Sequence, residues 1–348
     1  MRAGLLVGTI LAGTWLLADR AAAKDAPTAP PAPAPAAAPP RLLEVPLGFH
    51  VVEVRDIDVR SMTFVADLYY WVRIPAGAPA QVEKGIEFMN GRLDGEPKLD
   101  DEKTVDGWHY LCWRAKGTFS FRADLRRYPF DVQRLAIVVE HEGLEAHELR
   151  FVDDVESYRR GGVPEGRWGV QPGLDLPEFR FRGASRVLSE SAYPTTFGDP
   201  TNHEGLSRYS RLTLTIEFRR DYLPYLVKIL IPILVILAIT YLVFWFPHDQ
   251  FSTACQLALT TLLATIASNF SVAQSLPNVG YMVVSDWFFL GTYLLLSLTM
   301  LQLVITYVLE RKGRREQAER WTRAWRWGFP LLALASGGSL LAHAVVAG

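Results

Sequence analysis

The chain has 348 residues, of which 49% are hydrophobic and 21% charged, and its charges nearly cancel to a formal net of −1. That length and composition leave room for two bodies of different character. The two cysteines, Cys112 and Cys255, fall one in each, which excludes a disulfide framework and leaves Cys112 to be read as a small buried apolar residue.

Residues 1–23 contain Arg2, an apolar run from Gly4 to Ala18 and the small-residue end Ala21-Ala22-Ala23, the pattern of a signal peptide cut near Lys24. The alternative, a first membrane anchor, is disfavoured because a span needs about 20 apolar residues. Residues 24–41 are nearly all Ala and Pro, cannot bury a core, and predict an extended tether.

Over residues 42–220 the pattern becomes short and alternating, bounded by Gly, Pro and Asp. Phe49 to Val54, Met62 to Arg73, Trp108 to Lys116, Thr118 to Leu125, Arg134 to Glu140, Glu178 to Val187 and Ser210 to Phe218 read as strands of an antiparallel β-sandwich. Two acidic groups, Asp100-Asp101-Glu102 and Asp153, Asp154 and Glu156, offer oxygen ligands for modulation by calcium, with solvated loop charge as the alternative. His141 and His147 stand among Glu140, Glu142 and Glu148, a setting for pH sensing. Their spacing is not that of a zinc hydrolase, and no metal or nucleophile constellation points to an enzyme or a resident cofactor. No nucleic-acid partner is expected.

The period then changes. Residues 221–348 hold four apolar segments of spanning length, about 222–246, 251–274, 282–309 and 327–346, which predict a multi-pass membrane domain. The linker Pro247-His248-Asp249-Gln250 makes the first two antiparallel neighbours. Residues 310–326 carry seven Lys or Arg against three Glu, so this short loop is expected on the cytoplasmic side. The exported sandwich and the C-terminus then lie on the periplasmic or extracellular side.

The second segment is not uniformly apolar. Ser252, Gln256, Thr260, Leu263, Ala267 and Phe270 recur at steps of four and three and form one stripe, polar at its start and apolar at its end. Such a stripe faces either partner helices or water. The uncharged Leu, Ala, Phe half suits a hydrophobic constriction that gates by dewetting.

A sandwich followed by four spans, with a polar stripe on the second, resembles a subunit of the pentameric ligand-gated ion channels. The string Leu125-Arg126-Arg127-Tyr128-Pro129-Phe130-Asp131-Val132-Gln133 is similar to that family's signature loop. Arg219-Arg220-Asp221-Tyr222-Leu223-Pro224-Tyr225 with Pro232 resembles the approach to its first helix. Leu276-Pro277-Asn278-Val279-Gly280-Tyr281 resembles the loop between its second and third helices, and Arg323 to Pro330 the start of its fourth. The positions that carry the bracketing cysteines in animal members are here Phe121 and Leu135, which resembles the prokaryotic branch; an apolar pair can close the loop by burial.

The resemblance implies an immunoglobulin-like all-β sandwich on a four-helix transmembrane domain, a homopentamer in a bacterial inner membrane, and a pore lined by Ser252, Gln256, Thr260, Leu263, Ala267 and Phe270. Permeant inorganic ions would pass along it, with Asp249 as the inner-mouth charge; Asp249 and Gln256 favour cations. Asp58, Pro129, Phe130, Asp131, Arg220 and Pro277 would form the gating interface, with a cis bond before Pro129. Relatives bind agonists between subunits, which implies Tyr193 and Phe197 on a hairpin from Ser189 to Ser207, faced by Tyr70 and Trp71 of a neighbour. A Trp-x-Pro stretch before the signature loop is not apparent around Gly91 to Val105, a departure from amine-binding relatives. The effector, whether small molecule, proton or calcium, is left open. The competing class is a membrane-anchored periplasmic sensor that conducts nothing.

Overall fold

The computed structural model describes residues 42–200, 202 and 205–346. The expected signal peptide (1–23) and tether (24–41) lie outside the described residues.

The first body is all-β with two short helices. In chain order it comprises β1 (Leu43–Asp58), β2 (Thr63–Pro75), α1 (Gln81–Lys84), β3 (Ile86–Phe88), β4 (Gly91–Leu93), β5 (Lys98–Val105), β6 (Trp108–Ser120), β7 (Val132–His141), β8 (Leu149–Asp153), α2 (Val155–Arg160), β9 (Phe179–Tyr193) and β10 (Ser207–Arg220). One sheet runs β4-β6-β2-β1-β8 with β5 also paired to β6; the other runs β3-β7-β10-β9. Alternation of side chains about each strand explains the layering. On β2, Phe64, Ala66, Leu68, Tyr70, Val72 and Ile74 are buried, and on β10, Leu212, Leu214, Ile216 and Phe218. These residues share one core cluster with Phe121 and Leu135, the two positions expected to close the signature loop by burial.

Several elements differ from the sequence reading. Gly117 does not end a strand: Trp108–Ser120 is continuous, and a Cβ at Gly117 would lie 2.6 Å from the Arg92 carbonyl, so the glycine is where β4 crosses close by. The acidic run Asp100-Asp101-Glu102 is not a loop but part of β5, an exposed strand whose charges hide its period. Asp106 and Gly107, both with positive φ, turn β5 into β6. The sandwich is also not wholly antiparallel, since β8 pairs with β1 in parallel.

The second body is helical: α3 (Tyr222–Leu242), α4 (Phe251–Gln274), α5 (Val284–Arg311) and α6 (Arg315–Val346). Short 3₁₀ turns at Val243–Trp245 and His248–Gln250 fill the link from α3 to α4. Among the described residues, Tyr222–Trp245, His248–Gln274 and Val284–Arg311 are long and apolar enough to cross a membrane. The predicted loop at 310–326 is corrected: only residues 312–314 separate α5 from α6, and the basic stretch is helical. Reading apolar content alone misses a helix built from Ala, Glu, Gln and Arg, which are strong helix formers, and here Arg315 pairs with Glu319 one turn on at 3.4 Å.

Close packing across the β1–β2 pair rests on a glycine. Gly48 faces Trp71 in register, and a Cβ there would lie 2.3 Å from the indole. The indole is held by its Nε1–H, which donates to Asp154 at 2.8 Å, so it cannot swing aside. Gly48→Ala is expected to cost about 1–3 kcal/mol by overpacking, measured as a lowered denaturation midpoint.

Candidate functional site

Three places on the chain carry the residues singled out by sequence. The first is α4. Ser252, Gln256, Thr260, Leu263, Ala267 and Phe270 are all exposed on one side of this helix, Leu263 at 67% and Phe270 at 64%. The opposite side is buried and consists of Ala254, Ala258, Thr261 and Thr265 rather than leucines. Each buried threonine hydroxyl donates to a carbonyl of its own helix: Thr261 to Ala258 at 2.9 Å and Thr265 to Thr261 at 2.8 Å. Thr260 does the same toward Gln256, at 2.8 Å. No side chain of the stripe therefore bridges to a neighbouring helix among the described residues. Asp249, just before the helix, is exposed and makes no ion pair among the described residues.

The base of the helices holds a polar network that the sequence reading missed. His248 Nδ1 lies 3.0 Å from Glu310 on α5, and its Nε2 3.3 Å from the Thr322 hydroxyl on α6. Gln302 Nε2 donates to Thr306 at 3.0 Å beside a cavity of about 20 Å³. The only sequence signal was a histidine in a four-residue linker.

The second place is the junction of sheet and helices. Arg220 ends β10 and Asp131 precedes β7, and the antiparallel register Arg219↔Val132 brings them side by side. Arg220 Nε donates to Asp131 Oδ1 at 2.8 Å and Nη2 to Oδ2 at 3.1 Å; the side chains are 3% and 1% exposed. Gln133 Nε2 also donates to Asp131. The guanidinium is enclosed by the rings of Phe179, Tyr225 and Tyr128, with centroids at 4.6, 5.1 and 5.3 Å. Cation–π contact and a bidentate carboxylate together replace the water that this charge loses on burial.

Next to this pair the signature loop meets the link between α4 and α5. Leu125 and Tyr128 share an apolar cluster with Leu276, Ile229, Ile233 and Phe289, and Val59, Val279 and Tyr281 pack against it. The Leu125 N–H donates to Tyr281 Oη at 3.0 Å, and the Arg126 guanidinium lies 5.0 Å from the Tyr281 ring centroid. Tyr281 ends the string of residues 276–281, and its role as the contact point with the signature loop has no local signal in the sequence. The Tyr128-Pro129 bond is cis, as the resemblance implied, and the Phe130 ring lies 5.0 Å from Tyr222. Pro277 is half-buried between two residues of the cluster.

Asp58 is corrected. Its carboxylate accepts from the Ser61 hydroxyl and the Arg60 N–H, both at 2.8 Å, and so closes its own turn instead of joining Arg220. Those bonds, the Ser61 hydroxyl first, hold its carboxyl below the usual range. Its neighbour Val59 makes the contact to the helices.

The third place is a cleft of about 1100 Å³ beneath the β9–β10 hairpin, walled on its far side by Glu145, His147, Glu148 and Arg150. Tyr193, Phe197 and Tyr209 form an edge-to-face cluster with centroids 5.5 to 6.3 Å apart. Phe197 sits at φ 52° followed by Gly198 at φ 87°, and the Asp199 N–H closes the turn onto the Thr196 carbonyl at 3.0 Å. A bulky residue held at positive φ is strained, and such strain clusters at ligand clamps. The Tyr193 hydroxyl donates to Glu140 at 2.9 Å, and Glu140 is paired with Arg211.

Tyr70 and Trp71 do not join this cluster within the chain. Tyr70 is 3% exposed in the core, its ring 5.3 Å from Trp113 and 5.4 Å from Phe88, because its strand position points inward. Trp71 is bonded to Asp154 and tilted against Tyr158. The carboxylates of Asp153, Asp154 and Glu156, which offered oxygen ligands for calcium, each lie against an arginine. Arg186 donates to Asp153 from Nε at 2.7 Å and Nη2 at 2.8 Å, Arg73 pairs with Asp154, and Arg160 with Glu156 at 3.2 Å. Among the described residues no group of three or more His, Cys, Asp and Glu is gathered to hold a metal.

With this geometry in view, residues 229–329 match the family model described as the neurotransmitter-gated ion-channel transmembrane region. The matched stretch begins within α3, contains α4 and α5 whole and ends in α6. The match supports a ligand-gated ion channel and agrees with a sheet-rich body followed by helices long and apolar enough to cross a membrane.

Removing one partner of the Arg220–Asp131 pair strands the other as an unpaired buried charge. Arg220→Ala is expected to destabilise the chain by about 3–5 kcal/mol, against under about 1 kcal/mol for an exposed pair. Denaturant unfolding of the purified protein measures it.

Proposed function

We propose that the chain is a subunit of a cation-conducting homopentameric channel, with α4 lining a central pore that is gated from the sandwich. The observation that carries this reading is the uncovered stripe on α4. Within one chain, Ser252, Gln256, Thr260, Leu263, Ala267 and Phe270 are exposed and, among the described residues, hydrogen-bond to no other helix, while the reverse face is packed on its neighbours. A polar stripe on a membrane helix requires either water or a polar partner. Copies related by a cyclic axis give every stripe the same aqueous centre.

In that arrangement Ser252 and Gln256 ring the inner end and Thr260 the middle. Leu263, Ala267 and Phe270 form the outer, apolar half, where converging side chains close the pore by dewetting. Asp249 contributes a ring of carboxylates at the inner mouth and favours cations, and the absence of charge from the stripe leaves that ring to set the preference. The fourth span is the apolar half of α6. The sandwich lies on the periplasmic side of a bacterial inner membrane, and the helix-side basic residues on the cytoplasmic side.

The effector enters the cleft beneath the β9–β10 hairpin, where Phe197 and Tyr209 supply aromatic faces and Tyr193 packs edge-to-face against both. Its signal passes from β10 through Arg220 into α3, and from the signature loop through Leu125 and Tyr128 onto Tyr281 and Leu276. Engagement of Asp153, Asp154 and Glu156 by arginines argues against calcium as that effector.

Reconstituted bilayers under a sodium chloride gradient test the conduction reading. The reversal potential is expected to follow sodium, and Asp249→Asn to move it toward zero; a reversal that follows chloride would reject the cation assignment. Leu263→Ala is expected to raise spontaneous opening about tenfold, equal to about 1.4 kcal/mol. Thiol modification of Gln256→Cys should suppress the current, whereas Thr261→Cys on the packed face should not respond. Absence of any current from correctly assembled protein would favour a non-conducting sensor.

A further inference from the structure

Two histidines grip the short helix α1, and their hydrogen bonds demand opposite protonation states. His141, buried at the end of β7, accepts at Nδ1 from the N–H groups of Gly143 at 3.1 Å and Leu144 at 2.9 Å, and its Nε2 lies 3.2 Å from the Gln81 carbonyl. A nitrogen that accepts two bonds carries no proton, and the nitrogen facing a carbonyl must carry one. His141 is therefore neutral, with its proton on Nε2.

His109 on β6 presents the reverse case. Its Nδ1 is 3.0 Å from Glu83 on α1 and its Nε2 2.9 Å from Glu102 on β5. Both partners are carboxylates, which only accept, so both ring nitrogens must carry protons. Glu102 first, with Glu83, pushes the His109 pKa up, while burial pushes that of His141 down.

The packing around the grip is tight. A Cβ at Gly85, directly after α1, would lie 2.4 Å from the His141 ring, so the imidazole occupies a glycine notch. The other charged groups around His141 are Lys84 and Glu142, which line the same 560 Å³ cleft, and Glu148, which acts on it through space. Glu140, its neighbour on β7, is taken up by Arg211. Around His109, Lys103 on β5 is paired with Asp101. The segment His141 holds also contributes Gly143, Glu145, His147 and Glu148 to the wall of the larger cleft under the β9–β10 hairpin.

We propose that α1 is a proton-operated clasp, closed only while His141 is neutral and His109 charged, whose opening in acid releases residues 142–148 from α1 and loosens the wall of the large cleft. Protonation of His141 at Nδ1 removes two acceptor bonds at once and sets an N–H against two N–H groups. The His141 side contributes fully above the ordinary histidine value of about 6.5 and is lost as pH falls through its lower folded value. The His109 side is fully present below about 6.5 and is lost as pH rises through its raised value. The clasp concerns the sandwich alone and stands apart from conduction.

Hydrogen–deuterium exchange of the full chain in lipid nanodiscs, corrected for the intrinsic pH dependence of exchange, tests this. Between about pH 7 and about pH 5, peptides covering 81–85 and 142–148 are expected to lose protection about tenfold, with central β6 and β10 unchanged. His141→Gln keeps one donor and one acceptor and should abolish the acid response; His109→Gln should leave it intact and remove the alkaline one. Exchange at the imidazole C2–H, read per histidine by mass spectrometry on the unaltered protein, should show His141 titrating below, and His109 above, the ordinary range. Equal protection at both pH values, or titration of His141 in the ordinary range, would overturn the proposal even if neither variant folds.

Discussion

The buried pair of Arg220 and Asp131 is the constraint on which the two bodies depend. Arg220 is the last residue of β10, and α3 begins two residues later, so the position of its guanidinium fixes where the chain leaves the sheet. Asp131 does the same for the end of the signature loop, and the backbone adds an Arg220 N–H to Asp131 carbonyl bond at 3.1 Å. Phe179, Tyr128 and Tyr225 bring β9, the loop and α3 onto the same cation. Desolvation makes an ion pair of this kind a poor source of net stability but a strict one in geometry, because neither charge tolerates losing its partner.

Charge is handled in a similar way across the sandwich. Asp153, Asp154 and Glu140 are each met by an arginine, and Arg186 lies over Tyr158 at 4.3 Å. Carboxylates that offer oxygen ligands in sequence are thus paired within the chain, Asp153 with Arg186 and Asp154 with Arg73. Among the described residues, the face of α4 that carries Ser252, Gln256 and Thr260 is left exposed within one chain.

How much of this was legible in the sequence follows from which signals are local. The limits of α4 and the alternation of β2 and β10 were readable, since period is a property of short strings, whereas the proximity of Asp131 to Arg220 was implied by the family resemblance alone. Elements carried by charged residues were not: β5 has no apolar period, and the first turns of α6 read as a loop. Pairings between distant segments were also hidden. Tyr70 and Trp71 differ by one position, yet one is core and the other is bound to Asp154, a distinction set by strand register and by α2. Asp58 carried the right residue type for the junction, but its own turn was nearer.

The packed face of α4 has a mechanical consequence. Its threonine hydroxyls are spent on carbonyls of the same helix, and the other buried residues on that face, Ala254 and Ala258, are alanines. Among the described residues, the single hydrogen bond from α4 to another helix joins Asn269 to the Tyr293 hydroxyl at 3.2 Å, near the C-terminal end of α4. Rotation or tilt of α4 therefore slides a smooth surface past its neighbours without breaking bonds along most of its length. The helix is pinned at both ends, by Asn269 near its C-terminus and by the His248 contacts and the stack of Phe251 on Tyr307 at its start, with no polar anchor in between.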